Sequence, residues 1–272
     1  MKQDFLIFLD FTKKLWKNRY MLKMMTEREL KATYVGSLFG FAWAVINPIG
    51  LVAIYGTVFG HFFKSKPDPA YGTESYLLFL MCGMVPWQFF AQTINGSIGS
   101  VAKNATLVKK AVGFPSEILP VVTVLSHVIS HLIGVTILFF LTIAFDGGVS
   151  PWALVIFVYI FFMVIFSVGI GWILSSLSVY LRDLNQVIGL ALMAWFFFTP
   201  IFYPAARLSP GALRILRWNP VFHVVDGYRL TMLAGKPPDL AGLAYLGAAA
   251  VVTFAAGGIL FRRLKPGFAE VL

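Results

Sequence analysis

This chain of 272 residues is short of charge. Only 12% of it is Asp, Glu, Lys or Arg, about half the share of a soluble domain, while 58% is hydrophobic. So little charge cannot coat a water-soluble fold of this size. Cysteine is scarcer still: the lone Cys82 excludes an intrachain disulfide framework and a cysteine-based zinc site. There is no GxxxxGK[ST] phosphate loop, no HExxH, no GxSxG and no carboxylate pair inside an apolar run. What fills the chain instead is six apolar runs, near residues 36–62, 76–101, 118–145, 152–181, 186–203 and 240–261, none containing an ionised side chain. A helix of about 20 such residues crosses a bilayer. The expected fold is an all-α polytopic membrane protein with six transmembrane helices in a single membrane domain, 1–272.

The cations lie between the runs. A net charge of +10 and a pI near 9.7 would suggest nucleic acid in a soluble protein, but these charges are parcelled among membrane loops, so no nucleic-acid partner is expected. Residues 1–35 hold Lys2, Lys13, Lys14, Lys17, Arg19, Lys23, Arg28 and Lys31 against four acids, which places them in the cytoplasm by the positive-inside rule. Their first apolar stretch, 5–9, is too short for a signal peptide and is cut off by Asp10. Alternating sides gives an N-in, C-in topology with 15 of the 22 Lys and Arg inside, among them Lys103, Lys109, Lys110, Arg182, Arg262, Arg263 and Lys265. The outer stretch 204–239 fits badly, because Arg207, Arg214, Arg217, Arg229 and Lys236 exceed what a short outer loop should carry. As a full span, 221–233 would sink Asp226 and Arg229 in hydrocarbon, so a pair of short re-entrant helices is expected there.

Several local patterns stand out. From Asp4 to Tyr20, Phe5, Phe8, Leu9, Leu15 and Trp16 recur at helical spacing opposite Asp10, Lys13, Lys14 and Lys17, the signature of an amphipathic interface helix. Thr26 and Glu29 form a capping box that predicts a fresh helix start after a break following Tyr20. The basic segment 102–115 is short enough to be one helix across the mouth of two spans, and it reads as a solvated turn or as a docking element. His127 and His131 stand at i, i+4 without a third ligand at helical spacing, so no metal is expected, and both are read as facing the bundle interior with Ser126 and Ser130. Trp195, Phe198 and Phe202 share one helical face at i, i+3, i+7, and an aromatic path through Trp43, Trp87, Phe90, Trp195, Phe198 and Tyr203 would suit sugar rings. Spans without ionised groups imply that any driving energy comes from another chain.

Stretches across the whole length resemble one family in order: ERELKATYVGSLFGFAW from Glu27 to Trp43 with Asn47-Pro48, GMVPWQFF from Gly83 to Phe90, LVKKAVGFPSEILP from Leu107 to Pro120, Leu181-Arg-Asp183, Thr199-Pro-Ile-Phe-Tyr203, Asn219-Pro220 with Tyr228-Arg229, and FRRLKPGFAE from Phe261 to Glu270. The chain thereby resembles the permease subunits of type-2 ABC exporters for polysaccharides, above all those for O-antigen lipopolysaccharide, with teichoic acid and capsule exporters next. One departure is Thr33, where family members often carry a basic residue. The resemblance implies a homodimer working in the bacterial inner membrane with two copies of a separate ATPase, which would bind ATP and Mg; this chain itself would be neither an enzyme nor a cofactor carrier. It implies ATPase contact through Lys103, Asn104, Leu107, Val108, Lys109, Lys110 and Phe114. It also implies an outer gate with Arg207, Arg214, Arg217, Asn219 and Arg229, and an undecaprenyl-diphosphate-linked polysaccharide as cargo. Lys13, Lys14, Lys17 and Arg28 are then expected to meet the diphosphate or lipid headgroups. The rival readings are a small-molecule drug exporter on the same fold and a membrane glycosyltransferase, the latter opposed by the lack of a DxD-type carboxylate cluster.

Overall fold

The computed structural model describes residues 17–34, 38–110, 113–181 and 183–272. Among them there is helix and no strand. The chain runs through α1 (Arg19–Tyr34), α2 (Trp43–Tyr55), α3 (Tyr76–Ile98), two short helices α4 (Ser100–Lys103) and α5 (Ala105–Lys110), and then α6 (Ile118–Asp146) and α7 (Ile156–Ser178). There follow α8 (Leu184–Phe198), α9 (Pro210–Leu216), α10 (Pro220–Tyr228), α11 (Leu240–Leu264) and α12 (Phe268–Val271). Short turns extend some of these, including π-helical turns at Gly56–Phe62 after α2 and at Arg229–Leu233 after α10.

Among the described residues, five helical stretches are long and apolar enough to cross a membrane: Gly40–Phe62, Tyr76–Ile98, Ile118–Asp146, Pro151–Ser178 and Leu240–Val271. The run expected as a fifth span forms α8, which has 15 residues and therefore rises only about 22 Å against a hydrocarbon core of about 30 Å. It stops because Thr199 turns extended ahead of Pro200. Phe202 consequently leaves the helical face it was expected to share with Trp195 and Phe198. It packs instead on Phe196, Phe59 and Tyr55, with ring centroids 4.7, 5.1 and 5.7 Å away.

The bundle is organised around α3. About 78% of its most apolar window is buried, against 17% for the α2 stretch, and it touches α2, α6, α7, α8 and α10. On the far side, α7 and α11 meet backbone to backbone. A Cβ on Gly169 would lie 2.5 Å from the Thr253 carbonyl carbon, and one on Gly257 would strike the Gly169 carbonyl, so only glycine permits this approach. The outward faces of α2 and α8 are apolar and exposed; within α8 only Leu192 is buried.

Two expectations about the basic segments change. α1 is one continuous helix through the proposed break, and the Thr26 hydroxyl donates back to the Leu22 carbonyl at 2.7 Å rather than capping Glu29. A hydroxyl in a helix interior has that i−4 carbonyl at hand, and α1 packs against α6, which holds the helix through Thr26. The segment 102–115 is two short helices broken at Asn104, whose amide donates to the Ser100 carbonyl at 2.9 Å. Over 204–239 two short helices form: α9 and α10 each begin with Pro in the first turn after Ser209 and Asn219, whose side chains accept from Ala212 N–H and Val221 N–H. The amphipathic helix expected over 4–20 lies mostly outside the described residues, as do Lys13, Lys14 and Arg182.

Candidate functional site

A polar cleft of about 280 Å³ opens between four helices. α1 contributes Leu30 and Thr33, α2 Trp43, Ala44, Asn47 and Pro48, α3 Val85, Gln88, Phe89 and Gln92, and α6 Ser126, His127, Ser130, His131 and Gly134. None of these residues is Asp, Glu, Lys or Arg. On α3 the amides recur one turn apart, as the histidines do on α6, so each helix turns a polar stripe to the same space. Gly134 is small because a Cβ there would press on Val85 at 3.2 Å. His131 is buried, with Nε2 2.8 Å from the Tyr228 hydroxyl of α10 and its ring 4.9 Å from Phe89. The buried Gln88 Nε2 donates to no acceptor among the described residues. Among the described residues no cluster of three His, Cys, Asp or Glu could hold a metal. His127 and His131 thus face the bundle interior with Ser126 and Ser130, as their pattern suggested; the amides Asn47, Gln88 and Gln92 were the members sequence reasoning passed over. Their signal was amide side chains inside an apolar run, two of them at i, i+4.

The expected aromatic path divides into three places. Trp87 and Phe90 are buried inside this one chain, Phe90 edge-on to Trp195 at 5.0 Å and Trp87 5.3 Å from Phe196. Trp195 Nε1 donates to Asn219 Oδ1 at 2.8 Å, and Asn219 Nδ2 donates to Thr199 Oγ1 at 3.0 Å, so these residues fasten the end of α8 to the start of α10. Phe198 is exposed and Tyr203 half-buried; with Trp195 they line an apolar groove beside α9. Trp43 stands on the wall of the polar cleft.

The residues expected at the outer gate divide likewise. Arg207, Arg214 and Arg217 are exposed, whereas Arg229 is fully buried. Its guanidinium sits 3.6 Å over the Phe79 ring and donates to the carbonyls of Phe79 (3.3 Å), Pro200 (2.7 Å) and Ile201 (2.7 Å). Nearby the Tyr71 hydroxyl donates to Asp226 at 2.5 Å. Burial, reinforced by the Asp226 carboxylate, pushes the Tyr71 hydroxyl well above its ordinary pKa.

At the opposite end, Lys103, Lys109 and Lys110 are exposed while Leu107, Val108 and Phe114 pack partly on the core. α12 packs against α5, and Lys265 Nζ lies 2.5 Å from the buried Glu117 Oε2 while also donating to the Phe114 carbonyl. Trp172 Nε1 donates to the Glu117 carbonyl at 2.9 Å. The C-terminus is therefore bolted to the basic segment around α5. Lys17 and Arg28 are exposed on their side of the chain.

Together these features define an all-helical, multi-pass membrane protein with an uncharged polar cleft set into its bundle. The chain belongs to the ABC-2 type transporter family, whose model matches residues 20–233. It is 27% identical over 261 residues to the O-antigen export system permease protein RfbA of Myxococcus xanthus, covering 95% of this chain and 97% of that one. To the protein of the same name from Klebsiella pneumoniae it is 29% identical over 255 residues, covering 93% and 95%. The polysialic acid transport protein KpsM of Escherichia coli is 24% identical over 249 residues, covering 86% and 90%.

Proposed function

We propose that this chain is the membrane subunit of an ATP-driven exporter that moves a lipid-diphosphate-linked polysaccharide of the O-antigen type across the bacterial inner membrane. The observation that carries this reading is the end-to-end similarity to permeases named for O-antigen export. The lower identity to a polysialic acid transporter ranks capsule-type polymers second. Two copies of the chain pair with two copies of an ABC ATPase, which supplies the ATP and Mg chemistry. The exposed Lys103, Lys109 and Lys110, on a segment braced by α12, support that end of the bundle as the docking site for the ATPase. In this reading α1 and the C-terminus lie in the cytoplasm, α8 completes its crossing through the turn at 199–203, and α9 with α10 dips back from the outer side. Lys17 and Arg28 meet anionic headgroups there, with Lys13 and Lys14 in the segment before them.

Deletion of the gene tests the reading. The expected result is loss of surface polysaccharide with its lipid-linked precursor retained on the cytoplasmic leaflet, restored by a plasmid copy, and co-purification of the tagged chain with an ABC ATPase. Unchanged surface polysaccharide in the deletion strain would overturn it.

A further inference from the structure

An amide buried in hydrocarbon without a partner costs several kcal/mol, so polar stripes inside a membrane bundle are retained where something polar faces them. The cleft between α1, α2, α3 and α6 presents such stripes from α3 and α6 and adds Asn47 from α2. Its chemistry is selective. Asn47, Gln88 and Gln92 each offer a paired donor and acceptor, and Gln88 Nε2 is buried with no acceptor among the described residues. Among the described lining residues there is no Lys or Arg to neutralise a phosphate or carboxylate and no Asp or Glu to hold a cation, and of the two histidines His131 is engaged with the Tyr228 hydroxyl. What such a lining satisfies is an array of uncharged hydroxyls or acetamido groups. Trp43 adds a flat apolar wall of the kind against which the C–H face of a sugar ring packs. A volume of about 280 Å³ falls just below the roughly 300–1,000 Å³ of ordinary small-molecule pockets, the scale of one ring rather than of a chain of them.

We propose that this cleft is a binding subsite for a single neutral sugar unit, held by the amides of Asn47, Gln88 and Gln92 against Trp43. The inference rests on the reading of the chain as a glycan exporter, and it assigns the uncharged part of the cargo to a place apart from its anionic linkage. Arg28 and Lys31, exposed on α1 within a turn of the cleft residues Leu30 and Thr33, lie where that linkage could stay in water.

The test uses the full chain in lipid nanodiscs and saturation-transfer NMR with three soluble probes: methyl α-D-mannopyranoside, methyl N-acetyl-β-D-glucosaminide and the charged methyl glucuronide. At least one neutral glycoside is expected to receive transfer, and the glucuronide several-fold less. In Gln88→Leu/Gln92→Leu, transfer falls about tenfold, equivalent to about 1.4 kcal/mol. Should that variant not elute as the native chain does, Asn47→Leu, at an exposed position on the cleft rim, carries the same comparison. Equal transfer in native and variant chains, a preference for the glucuronide, or transfer to none of the probes overturns the subsite. If the deletion strain still loses its surface polysaccharide, that failure removes the subsite alone and leaves the export reading standing.

Discussion

Arg229 lies flat on Phe79, its guanidinium carbon 3.6 Å from the ring centroid and its Nε donating to the carbonyl of the same residue. The other two nitrogens reach Pro200 and Ile201, so a single side chain joins the central helix α3 to the turn that ends α8. Gly83 makes room for it, since a Cβ there would come within 3.2 Å of Nη2. This arginine, counted among the surplus of outer cations, acts as a fastener inside the fold.

Replacing it should therefore cost stability before it costs transport. Arg229→Leu takes the guanidinium donors from the Pro200 and Ile201 carbonyls, which lie outside regular helix, and is expected to lose about 3 kcal/mol or more. Arg229→Lys restores charge but not the planar fork, and should fall between the two. Thermal unfolding in detergent, followed by size-exclusion of the soluble fraction, reads the order; a leucine variant as stable as the native chain would refute the fastener.

The α7–α11 crossing makes a sharper contrast. Gly257→Ala drives a methyl into the Gly169 carbonyl, and with backbone on both sides neither helix can yield locally, so a loss of about 1–3 kcal/mol is expected. Gly189→Ala on α8 meets nothing within 4 Å and should be neutral or slightly stabilising. Equal unfolding midpoints for the two variants would show that α7 and α11 are not in backbone contact.

Lys265 and Glu117 join the C-terminus to the basic segment around α5. Lys265→Met should free the tail, so that carboxypeptidase removes residues beyond 264 several-fold faster than in the native chain while the bundle's unfolding midpoint stays nearly constant. If α12 transmits force between the docked ATPase and the bundle, the same variant also exports less polysaccharide at unchanged protein level.

Two aromatics separate packing from passage. Phe90 is fully buried between Phe166 and Trp195, so Phe90→Ala opens a cavity and is expected to lose about 3–5 kcal/mol, lowering the amount of protein in the membrane. Phe198 is 71% exposed, and Phe198→Ala should leave protein level intact while export falls. Undiminished export in Phe198→Ala would take Phe198 off the path of the glycan.

Much of this protein is legible in its linear order. Charge-free apolar runs dictate helices in a membrane, because only a helix satisfies its own backbone there, and five of the six runs form helical stretches close to the expected limits. The proline and cap residues at Ser209-Pro210 and Asn219-Pro220 likewise announce the short helices α9 and α10. Local rules stop where two elements meet. The Thr26 box fails because α1 continues through it against α6, and the face shared by Trp195 and Phe202 fails because Pro200 ends α8 between them. Nothing in the neighbourhood of Arg229 announces that carbonyls 150 and 29 residues away will surround it. The cleft is the same case. Asn47, the pair Gln88 and Gln92, and His127 stand in three different apolar runs, and only the packing of α2, α3 and α6 turns them toward one space where their polar groups can meet a polar ligand.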